Sequence, residues 1–357
     1  MNDKAIDRCM EQGLEDGVFP GAVLRISVKG RPVFEKAYGV TDLESKRNVA
    51  TSTVFDLASL TKPLAGATAL MMLIQQGKAD LDSTLGQMIP EFEGTDKKNV
   101  TVRQLLCHTS GLPAYKPYYE KLAAVPRQDR QAALRALLTG EPLAHLPGEK
   151  AEYSDIGYMA LNWIVESCSG MFIGDFVQKE VYNPLGISDL FYIGQGGSAD
   201  AGRVYAATEQ CGWRKKTLVG EVHDQNAWIM EGHAAHAGLF GTAEGVDALL
   251  AEFLSVYHNE RASRVFHRSV VRMFLTECGR FRRTPGFDMP SAKGSSSGTR
   301  FSPTSVGHLG YTGTSFWMDL KRKITVTLLT NRVHPTSDNI RIREFRPQIH
   351  DTVMAQF

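Results

Sequence analysis

Apolar and polar positions change their period several times along the chain, and the changes divide it into segments. Residues 3–17 repeat at helical spacing, which predicts an N-terminal helix. Residues 21–28 and 32–38 then alternate about Lys29-Gly30, the period-two pattern of a β-hairpin. From about 60 to 190 the pattern is mostly helical, with helices predicted over 60–76, 102–107, 127–138, 156–167 and 173–181. Pro113, Pro147-Gly148 and Pro184-Leu185-Gly186 punctuate them. Residues 192–235 are glycine-rich and aperiodic, as a long lid or irregular wall would be. A helix is predicted over 243–257, a polar Gly/Ser loop over 279–300, strands over 315–320 and 324–330, and a closing helix near 339–354.

Strands at both ends around a helical middle predict an α/β (α+β) architecture. Segments 1–58 and 236–357 would share an antiparallel sheet and residues 59–235 would form a mostly helical lobe, with a site in the cleft between them. The 357 residues can bury a large core. Net charge is only +1, and the longest basic runs are Arg214-Lys215-Lys216 and Lys321-Arg322-Lys323, which argues against a nucleic-acid or basic membrane footprint. The longest apolar run, 64–74, is too short to span a bilayer. Met1-Asn2-Asp3-Lys4 leads into a charged stretch without the apolar core of a signal peptide, so a cytoplasmic location is expected. The five cysteines, Cys9, Cys107, Cys168, Cys211 and Cys278, lack metal-ligand spacing and read as reduced packing residues.

One short stretch carries candidate chemistry. Ser59-Leu60-Thr61-Lys62 places a serine and a lysine one helical turn apart, ahead of the apolar run. An unprotonated Lys62 amine there can take the Ser59 proton, and helix N-terminal N–H groups favour the developing negative charge. Roughly one S-x-x-K match is expected by chance in a chain of this size, so context has to support it. It is the only match, and Pro63 fits the first turn of a helix. Tyr153-Ser154-Asp155 precedes another predicted helix. Its phenol can act as acid or base beside a cation such as Lys62, while a packing tyrosine with Ser154 or Asp155 as N-cap is the simpler reading of those residues alone. Gly307-His308-Leu309-Gly310-Tyr311-Thr312-Gly313-Thr314 is either a tight turn or a backbone cradle for an oxyanion. Gly294-Ser295-Ser296-Ser297-Gly298 matches G-x-S-x-G but lacks the flanking strand and helix. His223-Asp224 and His233-Ala-Ala-His236 fit no strong zinc spacing, so no metal and no cofactor is expected.

Taken in order, these motifs resemble the serine β-lactamase and penicillin-binding-protein superfamily, in the branch with class C β-lactamases, D-alanyl-D-alanine carboxypeptidases, D-aminopeptidases and family VIII esterases. The S-x-x-K, Y-x-N and K-T-G or H-x-G landmarks stand here as Ser59–Lys62, Tyr153–Asp155 and His308–Gly310. Leu105-Leu-Cys-His-Thr-Ser-Gly-Leu112, Pro184-Leu-Gly186 and Ala237-Gly-Leu-Phe240 extend the match over almost the whole chain. The resemblance implies a β-lactamase/transpeptidase-like fold, with an antiparallel sheet flanked by terminal helices plus a helical lobe. It makes Ser59 the nucleophile, Lys62 its base, and Tyr153 a proton shuttle coupled to Lys62. The backbone N–H groups of Ser59 and Tyr311 would form the oxyanion hole, with Asp155, His308 and Gly310 on the substrate. Asp155 replaces the usual asparagine and cannot donate when ionised. His308 replaces a lysine, so a neutral ring offers no fixed charge to a substrate carboxylate. The expectation is a serine hydrolase of small esters or amides, first a carboxylesterase with weak β-lactamase activity. The alternatives are a β-lactamase, a D-alanyl-D-alanine carboxypeptidase or D-aminopeptidase, and a non-turnover acyl-binding sensor.

Overall fold

The computed structural model describes residues 2–194 and 200–357. Five antiparallel strands form the main sheet: β1 (Gly21–Val28), β2 (Arg31–Gly39), β3 (Val306–Leu309), β4 (Ser315–Asp319) and β5 (Ile324–Thr330). Their spatial order is β2-β1-β5-β4-β3. The β1–β2 hairpin turns on Lys29 and Gly30 at φ +52° and +69°, the left-handed pair that matches a two-residue turn to the strand twist. The two ends of the chain meet at the centre of the sheet, with Ala22 opposite Thr330 and Val28 opposite Ile324.

Alternation along these strands decides what covers each face. Ala22, Leu24 and Ile26 join Val326 and Leu328 beneath two terminal helices, α1 (Asp3–Glu15) and α5 (Ile342–Met354), which contribute Ile6, Met10, Phe345 and Ile349. Val23 and Leu329 face the other way, into a core that also holds Leu70, Leu73 and Leu161 of the helical lobe. Burial on both faces is why residues 21–28 are so continuously apolar. The two polar exceptions are answered from α4 (Ala243–His258). Its buried Asp247 accepts from Arg25 Nε at 3.0 Å, Ser27 Oγ at 2.6 Å and Thr325 Oγ1 at 2.7 Å.

The predicted helix over 60–76 is three helices in series: a 3₁₀ turn Ala58–Leu60, a π-helix Lys62–Ala67, and α2 (Thr68–Gln75). Pro63 has no N–H for a regular helical bond, and Thr68 Oγ1 closes on the Pro63 carbonyl at 2.9 Å. The longest helix of this lobe, α3 (Asp155–Ser169), starts on a Ser154 cap and ends at Gly170 with φ +70°. Arg268–Phe274, from the segment expected in the sheet half, packs against both α2 and α4, so the two halves share one core.

Of the stretch read as aperiodic, 195–199 lie outside the described residues. Its remainder holds a short pairing of Gln210–Cys211 with Lys216–Thr217 and a helix Gln225–Ile229. A second sheet, with Leu239–Gly241 between Phe55–Asp56 and Leu190–Tyr192, sets the approach to Ser59 beside the 236–240 segment. Among the described residues no helix is long and apolar enough to cross a membrane.

Candidate active site

The turn that carries Ser59 is built by a buried carboxylate. Asp56 accepts from the Ala58 N–H at 2.8 Å and from the His223 N–H at 2.7 Å, with burial raising its pKa against those bonds. Ala58 sits at φ +46°, a left-handed conformation unusual for a residue with a side chain and characteristic of functional turns. The chain then reverses into the π-helix, leaving Ser59 partly exposed and Lys62 fully buried. Lys62 Nζ donates to Ser59 Oγ at 3.0 Å and to the His236 carbonyl at 3.0 Å, and lies 2.7 Å from Asp155 Oδ1. An ammonium there has two hydrogen-bond acceptors and a carboxylate as counter-ion. Burial alone would pull the lysine pKa down. The Asp155 charge, assisted by Tyr153, outweighs it and raises the pKa above the ordinary lysine value.

Tyr153 lies across this cation, its ring centroid 4.7 Å from Lys62 Nζ and 6.0 Å from the His308 ring. Part of its surface is open to the cleft, yet the atoms packed around it push the phenol up to about 12 against the opposing pull of Lys62. The backbone on either side of it is tied down. Ser154 N–H donates to His108 Nδ1 at 3.0 Å, Ser154 Oγ donates to the Pro113 carbonyl at 2.6 Å, and Asp155 N–H donates to the Ala114 carbonyl at 2.9 Å. His108 also stacks on Tyr153 with centroids 4.5 Å apart. Burial, and then the Arg283 and Lys62 charges, hold its imidazole neutral, as an acceptor at Nδ1 must be.

The third motif begins on β3. His308 is buried, and burial pulls its pKa down to about 4, so the ring is neutral at physiological pH. Its Nδ1 is 2.9 Å from the Leu309 carbonyl, which assigns the proton to Nδ1 and leaves Nε2 as an acceptor. The loop beyond is pinned to the Ser59 turn: Thr312 Oγ1 donates to the Asp56 carbonyl at 2.8 Å and Thr314 Oγ1 to the Leu57 carbonyl at 3.1 Å. Gly310 is the contact point. A Cβ there would come within 2.0 Å of Thr314 Oγ1 and 2.7 Å of the Leu57 carbonyl. Among the described residues, the Tyr311 N–H has no acceptor within the protein.

The fold thus brings Ser59, Lys62, Tyr153, Asp155, His308 and the 310–314 loop together. Asp155 serves Lys62 as an ion-pair partner, and Gly310 makes its close approach to backbone. Reading the sequence did not single out Asp56, the anchoring roles of His108, Thr312 and Thr314, or the His236 carbonyl, whose partners are remote in sequence. His223 and His236 are engaged with carboxylates, Glu209 at 3.0 Å and Asp224 at 3.1 Å, whereas the His233 ring stacks on Tyr192 with centroids 5.3 Å apart. Burial opposes the Asp224 charge, but the His236 ring and the Ala227 N–H hold its pKa near about 2. Ser296 belongs to a different surface, where its carbonyl faces His350 Nδ1 of α5 at 2.7 Å.

A buried lysine hydrogen-bonded to a serine, with a tyrosine ring over the ammonium, is an arrangement capable of acyl transfer. Residues 6–350 match the Beta-lactamase family model, and the chain belongs to that family of serine hydrolases. It is 32% identical to the N-acetylmuramyl-L-alanine amidase of Bacillus subtilis (strain 168), over 93% of this chain and 81% of that protein. It is 30% identical to a putative D-alanyl-D-alanine carboxypeptidase of Escherichia coli (strain K12), over 93% of this chain and 83% of the other. Among solved structures, EstCE1, a hydrolase with promiscuous acyltransferase activity, superposes with TM-score 0.76 at 21% identity, over 99% of this chain and 98% of that one. The D-alanine carboxypeptidase AmpC from Burkholderia cenocepacia gives 0.72 at 17% identity, over 96% and 97%. These likenesses establish the β-lactamase/transpeptidase-like fold.

Proposed function

We propose that the protein hydrolyses small esters or amides through an acyl-enzyme on Ser59, with carboxylesters the favoured class and β-lactam turnover a weak side activity. Ser59 Oγ attacks the substrate carbonyl and its proton enters the Lys62–Tyr153 pair. The N–H groups of Ser59 and Tyr311 hold the oxyanion, and the Tyr153 phenol returns a proton to the leaving group. Water then repeats the sequence on the acyl-enzyme. The observation that carries the choice of substrate is His308: a buried, neutral ring at the third motif supplies an acceptor where a carboxylate-bearing substrate would need a cation.

A second reading, cleavage of an amide in a cell-wall-type peptide, is supported by the names of the relatives at 30–32% identity. Steady-state hydrolysis of p-nitrophenyl butyrate by wild type and Ser59→Ala separates the possibilities. Multiple turnovers in wild type, falling by at least about 10³-fold in Ser59→Ala, are expected. Turnover that survives the substitution would sink the assignment of Ser59. Turnover of D-alanyl-D-alanine peptides but not of the ester would establish the second reading. A stable adduct with one equivalent of product would mark an acyl-binding sensor.

A further inference from the structure

Cys107 and Cys278 lie 171 positions apart in sequence, yet their Sγ atoms are 2.8 Å apart. That is far inside the ordinary separation of two non-bonded sulfurs. Cys107 closes the helix Val102–Leu106 and is buried at 5% exposure. Cys278 is partly exposed, on a loop held by the Cys278 N–H donating to the Arg283 carbonyl at 2.8 Å. It opens into a surface pocket with Arg103, Gln104, Arg280, Phe281 and Arg283. The two thiols are unequal. The thiol hydrogen bond from Cys107 and the Arg103 guanidinium lower the Cys278 pKa against burial and the nearby Glu277. Its partner's pKa is raised by that same bond and by burial.

We propose that Cys107 and Cys278 are a redox modification site: a reversible intramolecular disulfide formed by peroxide, with Cys278 the reactive sulfur and Cys107 the resolving one. The Cys278 thiolate attacks one peroxide oxygen, forming the S–O bond of a sulfenic acid as the O–O bond breaks and the departing hydroxide takes up a proton. The Cys107 sulfur then attacks the sulfenic sulfur. The S–S bond forms, the S–O bond breaks, and the hydroxide expelled leaves as water with the Cys107 proton. Two thiols and one hydrogen peroxide become one disulfide and two waters, and an external dithiol reverses the change. The bond would fasten the 277–283 loop to the segment that presents His108 to Tyr153 and Ser154, so oxidation braces the wall behind the site.

The test treats the purified full-length protein with a small excess of hydrogen peroxide, blocks remaining thiols with N-ethylmaleimide, and maps peptides without reduction. The expected product is a dithiothreitol-reversible link between the Cys107 and Cys278 peptides, two mass units below their sum, with Cys9, Cys168 and Cys211 alkylated. In Cys107→Ser, Cys278 should stop at a sulfenic acid trapped by dimedone. Oxidised wild type should unfold several degrees above reduced wild type, and oxidised Cys278→Ser should show no such rise. Alkylation of all five cysteines after peroxide, a link to any other cysteine, or over-oxidation of Cys278 ahead of the link in wild type would each overturn the proposal. Because the mapping is done on wild type, a variant that fails to fold does not remove the test.

Discussion

Lys62 is a cation held by two hydrogen-bond acceptors and the Asp155 carboxylate, and the consequences run through every step proposed for Ser59. A lysine held above its ordinary pKa must lose a proton before it can receive one, and Tyr153, pushed up to about 12, is equally reluctant. The competent form of the pair is therefore the minor one at neutral pH. The expected outcome is that kcat/KM for an ester rises with pH from neutral to about pH 9 without a plateau. Asp155→Asn removes the negative charge that favours the ammonium, so the lysine pKa falls and the alkaline limb moves to lower pH. A pH–rate profile of both forms on p-nitrophenyl butyrate checks this. A flat wild-type profile, or a limb that moves upward in the variant, would show that Asp155 does not set the charge of Lys62. Tyr153→Phe should cost about 10²- to 10⁴-fold in kcat with the fold intact by circular dichroism. The residues of the three motifs could be picked out of the sequence because Ser59 and Lys62 are local neighbours and the others stand in a recognised order. Asp56 and His108 could not. Nothing near Asp56 in sequence announces His223 as its partner, and His108 meets Ser154 across a separation of 46 positions.

Elements were legible where a turn or a cap marks a boundary. The β1–β2 hairpin, α3 behind Ser154 and α4 behind Thr242 all show such signals. The strand β3 was hidden because Val306-Gly307-His308-Leu309 is too short and too rich in glycine to show a period, and its pairing with β4 creates it. The π-helix was hidden because it depends on Pro63 and on packing rather than on apolar spacing. The join between α4 and the sheet was also out of reach, since Arg25, Ser27 and Thr325 look like surface residues until Asp247 stands over them. That join carries a prediction. Asp247→Ala leaves three buried polar groups without their acceptor, Arg25 keeping only its 2.7 Å ion pair to Glu35. The expected cost is about 3–5 kcal/mol of stability, read as a lower midpoint in urea unfolding, with KM unchanged well below the transition. A variant as stable as wild type would mean that α4 is held on the sheet by its apolar contacts alone.

Across the whole molecule, three histidines that different elements bury neutral share one weakness. His308 on β3 and His350 on α5 are both pulled down to about 4 by burial, and His108 is lowered by burial and then by the Arg283 and Lys62 charges. In the unfolded chain each would titrate near about 6.5, so between there and the folded values the unfolded state binds protons that the native state refuses. Their contribution to stability is complete above the unfolded pKa and is lost as pH falls through the folded one. At pH 4 each of the two with folded values near 4 costs on the order of 3 kcal/mol. The unfolding temperature should therefore drop steeply as pH falls from about 6.5 to about 4, well before most carboxylates are protonated. His350 separates this cause from carboxylate titration, because it lies on a terminal helix, away from Ser59, with its one hydrogen bond to the Ser296 carbonyl and its ring against Phe301. His350→Gln keeps a donor for that carbonyl and removes the proton-binding site. Its unfolding temperature should fall less steeply over the same range, whatever its value at pH 7. Parallel pH dependences in wild type and variant would assign the acid sensitivity to the carboxylates, and a flat wild-type profile would mean that the buried rings are reprotonated without unfolding.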